Sequence, residues 1–445
     1  MFTTDTQTIA DLQLFGKGTK DSVYAVFNRT RTRGGARVLE ALFRNPLDNP
    51  DRINARSGIM QYFAEHQLNF RFDPELFDSA EQYLTERDER TRFASGQQNL
   101  GQKLTSLVST DTTVRNIQNG IVATITILQE LQNFLNDKTV AGCLHYTQER
   151  SSVLSQLAAD VFIPMLNQPA KNKLSHDQLA AFDKILRFSH YLEVTKLLQH
   201  IYYLDVYITV GKVASESGFN YPKALADDTC SIIINGFYHP LIKNAIANDL
   251  HISPDGNVIF LTGANMAGKS TLMKSFGINI YLAHMGFPVA ANALSFTTLD
   301  GIYTTINLPD NLGMGISHFY AEVLRLKKIA KELSQAKKLL VIFDELFRGT
   351  NVKDAYEGTI AVTRAFALKP GSVFVISTHI TEAGEVLKKE CENVRFKFLP
   401  TRMRENQPVY TYKLETGITD DRHGMVIITN ERILDILKEG KAKSA

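Results

Sequence analysis

The sequence predicts an α/β domain, a mostly parallel sheet with flanking helices, preceded by an all-α domain. Two observations carry this. Over residues 8–218 apolar side chains recur at helical spacing with few turn signals, and after Gly218 short apolar runs alternate with helical ones. The runs 258–261, 339–343 and 373–376 are apolar without alternation, as expected of strands covered on both faces of a parallel sheet.

In the first half, Leu192, Leu197, Leu198, Ile201, Leu204 and Ile208 lie mostly three or four residues apart and mark one helix face. Phe182, Ile185 and Leu186 keep that spacing and belong to the same helix or its predecessor. Further helices are expected at 111–136 and 148–162, the second stopped by Pro164. Breaks fall at Asn45-Pro46, at Asn49-Pro50 with Asp51 capping the next helix, and at Asn167-Gln168-Pro169. The texture changes within 218–236, around Tyr221-Pro222, which divides the chain into a helical domain 1–230 and an α/β domain 231–445.

A length of 445 residues suits roughly two to four domains of about 100–200 residues each. The 44% hydrophobic and 22% charged fractions are those of a globular protein, and a net charge of +2 leaves nucleic-acid binding open. Cys143, Cys230 and Cys391 are far apart with no CxxC pair, which excludes a zinc cluster of that type and a disulfide framework. The start lacks the basic and apolar regions of a signal peptide. No apolar run reaches the roughly 18–20 residues that span a bilayer; the richest, 120–135, is broken by Thr124, Thr126, Gln129 and Glu130. A soluble cytoplasmic protein with no membrane partner is expected.

The strongest local pattern is Gly263-Ala264-Asn265-Met266-Ala267-Gly268-Lys269-Ser270, a full match to GxxxxGK[ST] between an apolar run and a helix expected at 271–284. The glycines let backbone N–H groups wrap phosphates, and the helix N-terminus adds partial positive charge. Lys269 would reach the outer phosphates of a triphosphate and Ser270 would complete the shell of Mg²⁺. Leu339 to Phe343 delivers Asp344 and Glu345 at the carboxyl end of a strand, where α/β sheets bind ligands. Asp344 would hold Mg²⁺, and Glu345 would polarise the attacking water. Just past the run 373–376, His379 can reach the γ-phosphate or that water.

With its neighbours the loop reads Thr262-Gly263-Ala264-Asn265-Met266-Ala267-Gly268-Lys269-Ser270-Thr271, which resembles the TGPNMGGKST loop of the MutS family. Met314-Gly315-Ile316-Ser317-His318-Phe319-Tyr320-Ala321-Glu322 resembles the family's SxFMxEM segment. Asp344-Glu345-Leu346-Phe347-Arg348-Gly349-Thr350 is similar to its DEIGRGT, and Ser377-Thr378-His379 to its ATH. The stretch from Asn28 to Leu39, then Asn45-Pro46-Leu47 and Asp51-Arg52-Ile53-Asn54, resembles the opening of the family's helical core, and His239-Pro240-Leu241 the lead-in to its ATPase domain.

The resemblance implies an ABC-like P-loop NTPase domain behind a core and lever domain, and an ATP-hydrolysing dimer with composite sites. Gly263 to Thr271 would bind ATP, with Ser317, which opens a helix expected at 320–335, acting from the partner subunit. Arg348-Gly349-Thr350-Asn351 would contact that partner. The family's mismatch-reading domain is expected to be missing, and Phe63-Ala64-Glu65 matches its Phe-x-Glu wedge by coincidence. Where the family has an aromatic residue against adenine, Ala245-Ile246-Ala247-Asn248 offers Ala245, leaving Ile246 or His251 for that role. DNA is the expected partner, with Arg29, Arg31, Arg33, Arg37 and Arg44 as possible phosphate contacts against the alternative of a solvated helix start. A competing reading is an ATP-gated assembly module closing on a protein partner with little turnover. A transporter subunit is disfavoured, because no LSGGQ signature occurs.

Overall fold

The computed structural model describes residues 2–16, 21–93, 109–169, 174–227, 229–306, 318–404, 407–419 and 432–439. The chain forms two compact units, one of Met1–Val26, Phe43–Ser57 and Glu216–Ala445, the other of Phe27–Leu42 and Gly58–Ser215. They are interleaved in sequence and so differ from the contiguous halves 1–230 and 231–445. The N-terminal residues find their polar partners at Gly301 to Ile306, and residues 43–57 find theirs at His284, Met285 and Ala224.

Among the described residues up to Ser217 the α-helices are α1 (Thr6–Asp11), α2 (Val23–Phe27), α3 (Arg33–Arg44), α4 (Pro50–Glu65), α5 (Pro74–Thr85), α6 (Ser109–Asn136), α7 (Lys138–Ala141), α8 (Thr147–Leu157), α9 (Ile163–Leu166), α10 (His176–Asp183) and α11 (Tyr191–Ser217). The second unit contains no strand among its described residues. The cap of α4 is Asn49, whose side chain accepts from the Arg52 N–H at 2.9 Å, and Asp51 instead lies in the first turn. Pro164 does not stop a helix but sits in the first turn of α9, where its missing N–H costs nothing. The predicted 148–162 helix ends earlier, at Leu157. A π-helical segment, Lys184–Ser189, separates Phe182 from α11.

Two features tie the second unit together. At Gly120 of α6 an added Cβ would lie 2.1 Å from the Tyr83 Cβ of α5, so the two helices approach at a distance only glycine allows. Beside them Arg187 and Asp183 form a fully buried ion pair at 2.5 Å. Asp183 also accepts from the Tyr83 hydroxyl (2.7 Å) and the Phe93 N–H (2.8 Å), while Arg187 donates to the carbonyls of Glu86 (2.6 Å) and Thr91 (3.0 Å). Those added bonds offset the desolvation of both charges.

The first unit carries strands β1 (Lys223–Leu225), β2 (Ile232–Phe237), β3 (Asn248–Ile252), β4 (Val258–Gly263), β5 (Ala293–Thr297), β6 (Gly301–Thr305), β7 (Leu339–Phe343), β8 (Val373–Ser377), β9 (Val394–Leu399), β10 (Thr401–Arg404), β11 (Gln407–Tyr410) and β12 (Glu415–Thr416). The main sheet has the order β12-β9-β4-β8-β7-β6, parallel from β9 to β6 with β12 antiparallel at the edge. A mixed sheet, β1-β5-β2-β3, and the hairpin β10-β11 complete it. Val258, Phe260, Leu339, Val341, Phe343, Phe374 and Ile376 point to one face, against α13 (His318–Ser334), α14 (Val352–Ala367) and α15 (Thr381–Glu390). The alternate residues face the other way: Ile342 reaches Gly277 of α12 (Lys269–His284). Burial on both faces explains the unbroken apolar runs.

His284, at the end of α12, is fully buried. Its Nδ1–H donates to the Leu47 carbonyl (2.8 Å) and its Nε2 accepts from the Leu299 N–H (3.3 Å), so the ring is neutral. Burial pushes its pKa down from 6.5 to about 4, against the opposing pull of the Leu47 carbonyl, Asp48 and Asp300. A histidine held neutral in the fold contributes fully above the unfolded value and loses that contribution as acid protonates the unfolded chain first. Between pH 7 and 5 wild type should therefore lose on the order of 2 kcal/mol more than His284→Gln in urea denaturation. Parallel pH profiles for the two proteins would contradict this.

Candidate active site

Strands β4, β8 and β7 are parallel neighbours whose registers pair Leu261 with Ser377 and Phe343 with Ile376, so their carboxyl ends lie level. Beyond β4 the chain turns through Gly263 (φ 147°), Met266 (φ 68°) and Gly268 (φ 97°) before α12 begins at Lys269. At Gly268 an added Cβ would sit 2.9 Å from the Tyr412 ring. The loop residues Ala264 and Ala267 are buried, Asn265 and Met266 are exposed, and Ser270 and Thr271 occupy the first turn of α12. That turn presents unpaired N–H groups and the positive end of the helix dipole. Lys269 is buried, its Nζ donating to the carbonyls of Gly263 (2.9 Å) and Ala264 (3.2 Å). Burial lowers its pKa, and the charges of Asp344 and Glu345 oppose that shift.

Asp344 is held from three sides. Its carboxylate accepts from the Ser270 hydroxyl and, on the other oxygen, from the Ser377 hydroxyl at 2.5 Å, while its N–H donates to the Thr305 carbonyl at 2.9 Å. Serine hydroxyl and carboxylate together are an oxygen donor set suited to a hard cation such as Mg²⁺. Glu345 is left-handed (φ 57°), a conformation that costs a non-glycine residue energy and gathers at functional sites. Its N–H donates to the Ser377 carbonyl at 3.0 Å. His379 Nε2 lies 2.5 Å from Oε1 of Glu345, and Arg348 Nε 3.4 Å from Oε2. The His379 hydrogen bond, helped by the charges of His379, Arg348 and Lys269, holds the Glu345 carboxyl below its usual range despite burial. Glu345 is thus a carboxylate at neutral pH, able to orient a water.

The fold brings together Gly263 to Thr271, Asp344, Glu345 and His379. Ser317 lies outside the described residues. The Ser377 hydroxyl is a contributor that the segment Ser377-Thr378-His379 marks by position but not by role, and Tyr412, remote in the chain, carries no sequence signal. Tyr412 lines a cavity of about 370 Å³ beside the loop, together with Phe237, Ile246, Asn248, Gly268 and Thr271. Asn248 fixes this wall, donating to the Tyr412 carbonyl (3.0 Å) and accepting from the Leu414 N–H (2.7 Å). Ala245 and Ile246 line the cavity, but His251 does not; it is exposed and bonded to Asn235 at 2.9 Å.

Elsewhere, Phe63 is buried in α4 against the Tyr146 ring, with a centroid separation of 5.7 Å, and cannot act as a wedge. Of the arginine cluster, Arg33 and Arg37 face Asp78 (3.6 Å) and Glu81 (2.7 Å), and Arg44 lies over the Phe15 ring at 4.6 Å. Among the described residues no helix is long and apolar enough to cross a membrane.

Fold and site define an α/β protein with a glycine loop and a carboxylate pair meeting at the carboxyl edge of a mainly parallel sheet. The chain belongs to the MutS family: MutS domain III matches residues 7–340 and MutS domain V residues 259–442. It is 31% identical over 225 residues to the DNA mismatch repair protein MutS of Anaplasma phagocytophilum, covering 50% of this chain and 27% of that one. Identity to MutS of Petrotoga mobilis is 27% over 304 residues (66% and 35%), and to MutS of Aquifex pyrophilus 26% over 320 residues (71% and 33%). The chain thus spans about a third of the length of these relatives. These relatives carry the name of DNA mismatch repair proteins.

Positive φ and the Tyr412 ring together make Gly268 intolerant of a side chain. Gly268→Ala should cost about 1–3 kcal/mol in urea denaturation. Gly371→Ala, where the nearest contact is Lys338 Cγ at 3.7 Å, should stay within about 0.5 kcal/mol. Equal costs would contradict the geometry.

Proposed function

We propose that this chain is a Mg²⁺-dependent P-loop ATPase that acts on DNA as a dimer, its α/β unit the motor and its helical unit the lever. The observation that carries the reading is the meeting of Ser270 and Asp344, with Glu345 and its His379 partner alongside.

The backbone N–H groups from Gly263 to Thr271 would wrap the phosphates, and Lys269 would exchange its two carbonyl partners for phosphate oxygens. Ser270 and Asp344 would hold Mg²⁺, which when bound supplies charge neutralisation on the phosphate oxygens. Glu345, kept ionised, orients the attacking water, and His379 holds the Glu345 carboxylate in place at the γ-phosphate. Adenine fits the neighbouring cavity, whose volume lies in the range of small-molecule sites and whose walls include the Tyr412 ring and Ile246. Tyr412 then takes the place of the aromatic residue missing at Ala245.

The composite site is completed in trans by Ser317, with Arg348-Gly349-Thr350-Asn351 meeting the partner subunit. The mismatch-repair names of the relatives support DNA as the partner. The buried Phe63 leaves no Phe-x-Glu wedge to read bases, and Arg33 and Arg37, already answered by acids, favour the solvated helix start over phosphate contact.

Sedimentation velocity of Glu345→Gln tests the whole reading. With Mg·ATP the variant should form a dimer that persists and binds duplex or branched DNA at low salt, while phosphate release is abolished. A monomer at all ATP concentrations would remove the dimer, and no co-sedimentation with either DNA would remove the DNA partner.

A further inference from the structure

The residues ahead of α2 are bound to the main sheet in a way the catalytic reading does not use. Thr3 pairs in parallel with Gly301, its N–H donating to the Asp300 carbonyl (2.7 Å) and its carbonyl accepting from the Ile302 N–H (3.0 Å). Further on, Thr8 Oγ1 accepts from the Thr304 N–H at 3.0 Å. Asp11 Oδ2 accepts from the Thr304 hydroxyl (2.8 Å) and the Ile306 N–H (2.9 Å). The segment therefore follows β6, the edge strand, and closes its carboxyl end.

A second set of bonds joins the same segment to α13. Asp5 caps α1 through the Thr8 N–H (3.0 Å) and takes a salt bridge from Arg325 and another from Lys328 (2.8 Å). Arg325, buried, also donates to the Thr304 carbonyl (2.8 Å) and lies over the Tyr303 ring at 5.6 Å. Burial alone would raise the Asp5 carboxyl, but hydrogen bonds from Arg325, Lys328 and Thr8 hold it well below its usual range. The Asp11 carboxylate thus grips Thr304 and Ile306, on either side of Thr305, while Asp5 reaches Thr304 only through Arg325. Thr305 is the residue whose carbonyl receives the Asp344 N–H.

We propose that Asp11 and Asp5 are positioning residues for the metal-holding carboxylate. They clamp the end of β6 and, through Thr305, set where Asp344 stands relative to Ser270. The inference rests on the reading of Asp344 as the residue that holds Mg²⁺. A support of this kind acts on the metal more than on the nucleotide, because Lys269, the glycine loop and the Tyr412 cavity are built on other elements. Loss of a partner bonded directly to a metal ligand typically weakens metal binding by about 10–100-fold, and Asp11, acting one step further out through Thr305, is expected at the lower end.

The test compares wild type, Asp11→Ala and Asp11→Asn as full chains, using Mn²⁺ as the probe. Binding of Mn·ATP is followed by electron paramagnetic resonance, binding of metal-free ATP in EDTA by calorimetry, and the metal dependence of hydrolysis in parallel. Asp11→Ala should raise the metal concentration for half-saturation about tenfold or more while metal-free ATP affinity stays within about twofold. Asp11→Asn, which keeps an acceptor oxygen, should fall between the two. Should Asp11→Ala fail to fold, Asp11→Asn and Asp5→Asn decide the matter on the same readouts. Unchanged metal dependence in folded variants, or an equal loss of metal-free ATP binding, would overturn the proposal. Wild type that takes up no Mn·ATP would instead overturn the reading of Asp344, and the inference with it.

Discussion

The structure of the candidate site hangs on the carboxylate of Asp344. One buried strand delivers it, the Ser270 hydroxyl reaches it from the start of α12, and the Ser377 hydroxyl reaches it from the end of β8. Its own N–H is spent on the end of β6. Four separate stretches of chain therefore converge on one residue. Only a sheet whose parallel strands end level can do this, because each crossover returns the chain to the same edge. Charge then follows from packing. Lys269, Asp344, Glu345 and His379 sit close together where solvent is partly excluded, so each shifts or orients its neighbours more strongly than it would in water.

Part of the backbone strain lies where the chemistry is proposed. Met266, Glu345 and Phe347 are left-handed without being glycine, and the first two lie in the loop and the carboxylate pair. For Glu345 the surrounding bonds account for how the strain is held: Ser377 anchors its backbone, and His379 and Arg348 anchor its side chain. The helical unit has a different logic. Its polar core is a closed network in which Arg187 and Asp183 satisfy each other and neighbouring backbone. Removing either partner would leave a buried charge unanswered.

Much of the α/β unit could be read from sequence because burial on both faces leaves a plain record. The runs 258–261, 339–343 and 373–376 carry no polar residue, and each became a strand of the main sheet. The glycine loop was legible for a related reason, since its φ angles at Gly263 and Gly268 exclude most side chains. What stayed hidden depends on contacts distant in sequence. Nothing near Thr3, Thr8 or Asp11 announces that their partners lie some three hundred residues away on β6. Tyr412 belongs to a segment with no motif, and its place in the cavity follows from the Asn248 bonds. Local chemistry also misled: Asn49 rather than Asp51 caps α4, and Pro164 opens a helix rather than ending one.

The central claim is that the main-chain amides around Lys269, with the Asp344 and Glu345 carboxylates alongside, grip a magnesium-bound triphosphate. Isothermal titration of the folded chain with Mg·ATP measures this most directly. Wild type should take up the nucleotide saturably, and Lys269→Ala should lose most of that uptake while melting at a similar temperature. Equal uptake by the two proteins, or none by intact wild type, would contradict the account.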